Sequence, residues 1–489
     1  MRWGNPKALT SLRVARQRRI PMTDASTTRR EAETTDSSPH LESGHLSLKA
    51  LVALSLASFF PAVAIALAPY VTYSSAGITG WQSSLLATIA VIFIGRAIIV
   101  FARRYVAKGL IYSYVGEVFG TWAKWLAGAA MLAGFIVGLA AFASICGIFI
   151  GSFLSARGIS WALDLGPQIV VFGLVLSLAG AIAFRGLDTS VTIAVVLAVL
   201  ALPLVLVITA ASARHTGLHW SEQFSYSGFS FGHTLQGIAV GAAFLIAFES
   251  CAALATETRN PRKNIPVAIM SVPVILGGIL PIATILQAPG LASASEQLAA
   301  GVSAPAALAA QAGLSPWIGS ATDLVLALAS FAALIGFVNY GSRYLMTLAE
   351  DGILPPLLTR IHSRHHTPHI AIVIVVGISF LCDVGLSFLA GSVSAAYLLN
   401  ANLLVFLWVI PYVLICVAAI VITVREKEIR PGLWLTTILG GAAMVWSFVN
   451  GIINPPPAPG DVAVWVAIAA VVVIVGIFAI CRGRHRQIH

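Results

Sequence analysis

Residues Ser55–Ser74 read SLASFFPAVAIALAPYVTYS, an apolar run interrupted by two prolines eight residues apart. A membrane-crossing helix needs about 20 mainly apolar residues. Inside such a helix a proline lacks the N–H that the ladder requires and clashes with the carbonyl four residues back. Pro61 therefore leaves the Ala57 carbonyl without its helical donor, and Pro69 does the same to Ile65. In hydrocarbon each freed carbonyl must find a partner inside the protein or beside a water-filled cavity. Either the prolines are tolerated kinks, or the helix is broken there for a purpose. On these residues alone both readings stay open.

The rest of the chain extends the apolar pattern. Of 489 residues 58% are hydrophobic and 10% charged, with a mean hydropathy of +0.90, whereas a soluble domain carries about 25% charged residues. The apolar runs predict an all-α integral membrane protein with twelve transmembrane helices. Their approximate limits are 47–73, 79–102, 125–154, 167–184, 188–212, 233–256, 266–288, 318–348, 368–388, 393–424, 432–452 and 461–481. All five cysteines lie in or at the end of apolar spans, which argues against a disulfide framework.

An even number of spans puts both termini on one side, and the basic residues identify it. Of 29 Lys and Arg, Arg157 and Arg214 fall in opposite loops, Arg96 lies within a span, and all the others fall on the side of the termini. By the positive-inside rule that side is the cytoplasm of a cell-membrane protein. The net charge of +10 is then a record of orientation, with no nucleic acid needed. Residues 1–45 mix charges with Ser and Thr and read as a disordered cytoplasmic tail. They hold no apolar h-region of a secretory signal. Residues 46–482 form the transmembrane domain and 483–489 a cytoplasmic C-terminal tail.

Three stretches carry more than hydrophobic filler. In LIAFESCAALATETRNPRKNIPVAI (Leu245–Ile269), Glu249 follows about fifteen apolar and small residues, which places a carboxyl at membrane depth. Two readings are open, a gating or proton-carrying group and a structural carboxyl hydrogen-bonded to its neighbours. In NYGSRYLMTLAEDGILPPLLTRIHSRHHTPHIAI (Asn339–Ile372), four histidines, His362, His365, His366 and His369, lie in a basic loop. Pro368 interrupts them and no carboxylate or Cys is interleaved, so no metal site is read there. In FARRYVAKGLIYSYVGEVFG (Phe101–Gly120), Tyr105, Tyr112 and Tyr114 suit a membrane interface.

Together these stretches resemble the amino acid–polyamine–organocation (APC) superfamily of permeases. Arg103, Arg104, Tyr105, Gly109, Tyr112 and Tyr114 fit its segment after span 2. Phe248, Glu249, Glu257, Asn260, Pro261, Asn264, Ile265 and Pro266 fit the signature after span 6. Arg343, Asp351, Gly352, Leu354, Pro355, Thr367 and Pro368 fit the ending of span 8. The resemblance implies the leucine-transporter-like fold: a 5+5 inverted repeat, two C-terminal helices, and helices 1 and 6 broken near the bilayer midplane. Such breaks offer N–H groups to a substrate carboxylate and carbonyls to its ammonium group. The substrate-binding candidates are Ser58, Phe59, Phe60, Pro61, Ala62, Val63, Phe244, Ala247 and Phe248, with Glu249 for gating or proton coupling.

The sequence departs from the family where it matters. Relatives carry glycines at both breaks, and here Phe60-Pro61-Ala62-Val63-Ala64 and Ala247 stand in their place. The side chains oppose the close approach that glycine allows. Sodium coupling is disfavoured because the middle of span 8 offers Ser330 without a second hydroxyl. Proton coupling or exchange remains. Arg96 reads as snorkelling to the cytoplasm, and Asp383 as solvated toward the outer end of span 9. The function implied is a secondary active transporter of amino acids, with a polyamine or organic-amine permease as the alternative and a channel as the different class. The partners implied are a small-molecule substrate, protons and the bilayer. No cofactor is implied, and no catalytic constellation for an enzyme lies at depth.

Overall fold

The computed structural model describes residues 43–106, 109–225, 231–299, 302–456 and 458–488. The tail anticipated over 1–45 lies outside these residues up to residue 42. The described chain is helical, and its sole β feature is an isolated bridge between Leu46 and Thr258.

The opening apolar run is two helices, α1 (Leu48–Ser58) and α2 (Pro61–Ala76). Ser47 caps α1 by accepting the Ala50 N–H at 3.3 Å. Then come α3 (Trp81–Ala102), α4 (Leu110–Phe119), α5 (Thr121–Ser155), α6 (Leu165–Phe184) and α7 (Leu187–Thr216). Next, α8 (Phe231–Ala242) gives way to an irregular turn and a 3₁₀ segment, Phe248–Leu254. Beyond it α9 (Pro261–Ser271) and α10 (Gly277–Ser293) are joined by a π-helical turn, Val272–Leu276. The chain ends with α11 (Pro316–Glu350), α12 (His369–Ala390), α13 (Val393–Arg425), α14 (Pro431–Ile453) and α15 (Ala463–Ile488). Prolines open α2, α9, α11 and α14, where the missing N–H costs nothing and the fixed φ favours the first turn.

Eleven helical segments among the described residues are long and apolar enough to cross a membrane. The span expected over 233–256 is not one of them, because α8 ends at Ala242 and the backbone unwinds before the 3₁₀ segment begins. At the C-terminus α15 continues to Ile488, and its part apolar enough to cross a membrane ends at Arg482.

Three long helices, α5, α11 and α13, make the buried centre, and α1, α2 and the 3₁₀ segment pack against it. The outer helices α6, α7, α12 and α15 present large apolar side chains outward, among them Leu174, Leu200, Val373 and Val472. The amphipathic α4 differs from its expectation. Tyr112 and Tyr114 are buried rather than interfacial, and the Tyr112 hydroxyl donates to Asp351 Oδ2 at 2.9 Å. Burial and the Asp351 charge push this phenol far above its ordinary range, so it remains a donor.

Candidate functional site

The first break is one joint. The N–H groups of Phe59 and Phe60 turn back to Leu56 and Ala57 at 3.0 and 3.1 Å, closing α1. Phe60 then takes a left-handed conformation, φ 36° and ψ 65°, a strained position for a bulky residue. Pro61 follows as the first residue of α2. The carbonyl that Pro61 would strand, Ala57, is thus taken by Phe60, and the N–H groups of Ala62 and Val63 are left without helical partners.

Pro69 is absorbed differently. The helix α2 runs through it, and the freed Ile65 carbonyl accepts from Gln287 Nε2 of α10 at 2.8 Å. Gln287 also donates to Thr209 Oγ1 of α7 at 2.9 Å. This proline is a kink with a dedicated partner.

The second break is longer. After Ala242 the N–H groups of Leu245 and Ile246 both reach back to its carbonyl, at 2.8 and 3.0 Å. Ala247 is left-handed, φ 68° and ψ 18°. Its N–H is taken by Tyr412 Oη of α13 at 2.9 Å. The same hydroxyl donates to Glu249 Oε2 at 2.8 Å, and Trp408 Nε1 donates to Glu249 Oε1 at 2.8 Å. Glu249, only 1% exposed, thus has one donor on each oxygen. Arg96 is exposed, so Glu249 draws its partners from α13.

The candidate residues fall on these two joints. Ser58, Phe59, Phe60, Ala62 and Val63 are buried at the first and Phe244, Ala247 and Phe248 at the second, while Pro61 is half-buried. Ser58 Oγ donates to the Leu54 carbonyl at 2.7 Å and lies 3.2 Å from Tyr340 Oη. Gly336 of α11 makes room for it, since a Cβ there would sit 1.9 Å from Ser58 Oγ. A run of rings joins the breaks. Phe60 meets Phe142 at 5.0 Å, Phe142 meets Phe337 at 4.6 Å, Phe337 meets Phe135 at 6.2 Å, and Phe135 meets Trp408 at 5.4 Å. Phe59 joins through Phe337 at 5.7 Å, and Phe248 packs on Tyr412 at 5.8 Å. Phe244 has no ring partner among the described residues.

Several contributors were not singled out from sequence: Trp408, Tyr412, Tyr340, Phe142, Phe337 and Gln287. Trp408 and Tyr412 stand one turn apart in an apolar span, away from either interface. That placement of two polar-tipped aromatics was the available signal.

Toward the termini of the same bundle, Glu257 and Arg343 form a buried two-pronged ion pair, with Arg343 Nη2 to Glu257 Oε2 at 2.9 Å and a second contact through Nε. The backbone of Leu46 pairs beside it with Glu257 and Arg259 at 2.9 Å each. Asp383 is not solvated, contrary to expectation. It is fully buried: Ser144 of α5 at 2.6 Å and Asn400 of α13 at 3.2 Å both donate to Oδ1, offsetting part of its removal from water, while Oδ2 has no hydrogen-bond partner among the described residues.

This is a multi-pass helical membrane protein with two adjacent interrupted helices around a buried carboxylate. The family model described as "Amino acid permease" matches residues 46–478, and the chain belongs to that family, within the APC superfamily. It is 28% identical over 347 residues to "Branched-chain amino acid permease BcaP" of Lactococcus lactis subsp. cremoris, covering 65% of this chain and 71% of that one. The protein of the same name from Bacillus subtilis is 23% identical over 312 residues, 59% of this chain and 63% of its own length. "Cationic amino acid transporter 2, vacuolar" of Arabidopsis thaliana is 26% identical over 326 residues, 61% of this chain and 48% of that one. The family and these relatives are transporters, not enzymes.

Proposed function

We propose that the chain is a secondary active transporter of amino acids that works by alternating access, with substrate held between the joints at Phe60 and Ala247. The observation that carries this is the pair of neighbouring interruptions. A helix N-terminus at Ala62-Val63 offers N–H donors to a substrate carboxylate, and the unwound backbone after Ala242 offers carbonyls to its ammonium group. Ser58, Phe59, Phe60, Pro61, Ala62, Val63, Phe244, Ala247 and Phe248 form the substrate site. Counting the interrupted Phe231–Leu254 segment as the sixth crossing gives twelve spans, a 5+5 inverted repeat and two appended helices. Both termini lie on the cytoplasmic side of a cell membrane.

Phe59, Phe60, Phe248, Val63 and Ala247 surround the joints with apolar surface, and Trp408 and Tyr412 occupy Glu249. These features favour a neutral amino acid with an apolar side chain, of the branched-chain kind named for two relatives, over a cationic amino acid or polyamine. Coupling runs through Glu249 as a proton carrier. The middle of span 8 offers Ser330 without a second hydroxyl beside it, which leaves the span poorly equipped for sodium.

Uptake into proteoliposomes, with labelled leucine, lysine and spermidine and with imposed pH or sodium gradients, tests the reading. Saturable leucine uptake driven by a pH gradient is expected, and the Glu249→Gln variant, a permanent mimic of the protonated acid, loses the pH dependence. Ion current without saturable uptake would instead establish a channel. Exclusive uptake of lysine or spermidine would overturn the substrate assignment.

A further inference from the structure

An open groove of about 740 Å³ runs between α1, the end of α3, α9 and the π-helical turn that follows it. Three cations, Arg103, Arg262 and Lys263, line it, and Val267, Met270, Val274 and Ile275 form its apolar part. Val267, Val274 and Ile275 are each about half exposed, at 48%, 53% and 46%, on a segment long and apolar enough to span a membrane. No acidic side chain lines the groove, and among the described residues none of the three cations pairs with a carboxylate. Other basic groups of the same end are neutralised: Arg104 by Glu426 and Glu428, Lys124 by Asp351, and Arg343 by Glu257.

Arg262 and Lys263 are also in the first turn of α9, which has no acidic residue and no side-chain cap. Cations there oppose the positive end of the helix dipole, the end that favours anions. Arg103 adds a third like charge from α3. Such a cluster is stabilised by an anion, and the exposed apolar wall below it asks for hydrocarbon. We infer that this groove is a binding site for a phospholipid with an anionic headgroup, the phosphate held by Arg103, Arg262 and Lys263 and an acyl chain lying along Val267, Val274 and Ile275. Basic groups at the ends of membrane helices are suited to such headgroups. The site lies outside the proposed transport pathway and rests on the membrane-spanning fold alone.

Native mass spectrometry of the full chain in detergent, titrated with phosphatidylglycerol or phosphatidylcholine, tests it. Saturable, phosphatidylglycerol-selective binding is expected. Replacing the cations by Gln should weaken it by roughly fivefold for each one removed. A Val274→Trp variant, which fills the apolar wall and leaves every cation in place, should weaken it too, and inorganic phosphate should fail to displace the lipid. Equal binding of both lipids, binding unchanged in the Arg103→Gln/Arg262→Gln/Lys263→Gln variant, or displacement by phosphate alone would each overturn the assignment. So would the absence of binding, whatever then covers the groove. Retained thermal stability of each variant separates lost binding from lost fold.

Discussion

The two helix interruptions reach the same end by different means. Each turns on a left-handed residue that bears a side chain, Phe60 in one and Ala247 in the other. The first is compact. Phe60 closes α1 through Ala57, and Pro61 opens α2 within one residue. The second extends from Ala242 through the 3₁₀ segment and is held from outside by Tyr412 and Trp408. A joint written into consecutive residues keeps its geometry wherever the chain moves. A joint held by another helix can be released when that helix shifts. The contrast assigns stiffness to span 1 and responsiveness to span 6, and substitutions at each should fail differently.

The largest effect is expected from Glu249→Leu. It removes the acceptor for the Trp408 N–H and the Tyr412 O–H and strands two buried donors, each costing about 1–3 kcal/mol. Thermal unfolding in detergent should show a marked loss of stability, and uptake should be abolished. Next comes Pro61→Ala. The new N–H can bond to the Ala57 carbonyl, and the strain at Phe60 then favours one continuous helix. Purified amounts should change little while uptake falls at least about tenfold, a barrier increase of roughly 1.4 kcal/mol. Normal uptake by this variant would show that the compact joint does not matter to transport.

The compact joint was the more legible of the two from sequence for the same reason. Pro61 acts on its own neighbours, so the residues marked it and Pro69 as two candidate positions, and the resemblance to the permeases put the break at Pro61. Glu249 stood out as a carboxyl in an apolar run, but its partners lie about 160 positions away on α13, and nothing in local periodicity joins them. Gln287 was invisible as the partner of Ile65 because that contact also depends on tertiary packing. The break in the sixth span was expected only through the resemblance, because hydropathy does not register that backbone has left the helix: Ala243–Ala247 remain as apolar as any helical turn. Asp383 misled for a related reason: proximity to a span end was read as solvation, while Ser144 and Asn400 supplied its donors from two other helices.

Smaller effects separate the two joints further. Tyr412→Phe leaves Glu249 with the Trp408 bond and unpairs the Ala247 N–H and one carboxylate oxygen. Each of the two unpaired groups costs about 1–3 kcal/mol, and uptake should be reduced rather than abolished as it is in Glu249→Leu, because the Trp408 bond to Glu249 survives. Hydrogen exchange should quicken at Ala247–Leu254 and stay unchanged at Phe60–Ala64. Equal quickening at both would mean that the aromatic run from Trp408 to Phe60 transmits the disturbance, and the division into a stiff and a responsive joint would fail.

The smallest effect, and the one with the opposite sign, belongs to Ala247→Gly. A left-handed alanine costs about 1–2 kcal/mol relative to its right-handed form, and glycine removes that cost while adding backbone freedom to the unfolded chain. The two terms oppose each other, leaving a net stabilisation of up to about 1 kcal/mol, readable as a small rise in unfolding temperature. Deleting one methyl beside the Tyr412 bond should also admit a slightly bulkier substrate side chain, raising uptake of phenylalanine relative to leucine. The corresponding Phe60→Gly change should destabilise despite relieving similar strain, because the ring that meets Phe142 at 5.0 Å contributes about 0.5–1.5 kcal/mol beyond its area burial. A gain at Ala247 with a loss at Phe60 would show that strain at the second joint is carried by one methyl group, whereas at the first it is held down by the packing of a whole ring.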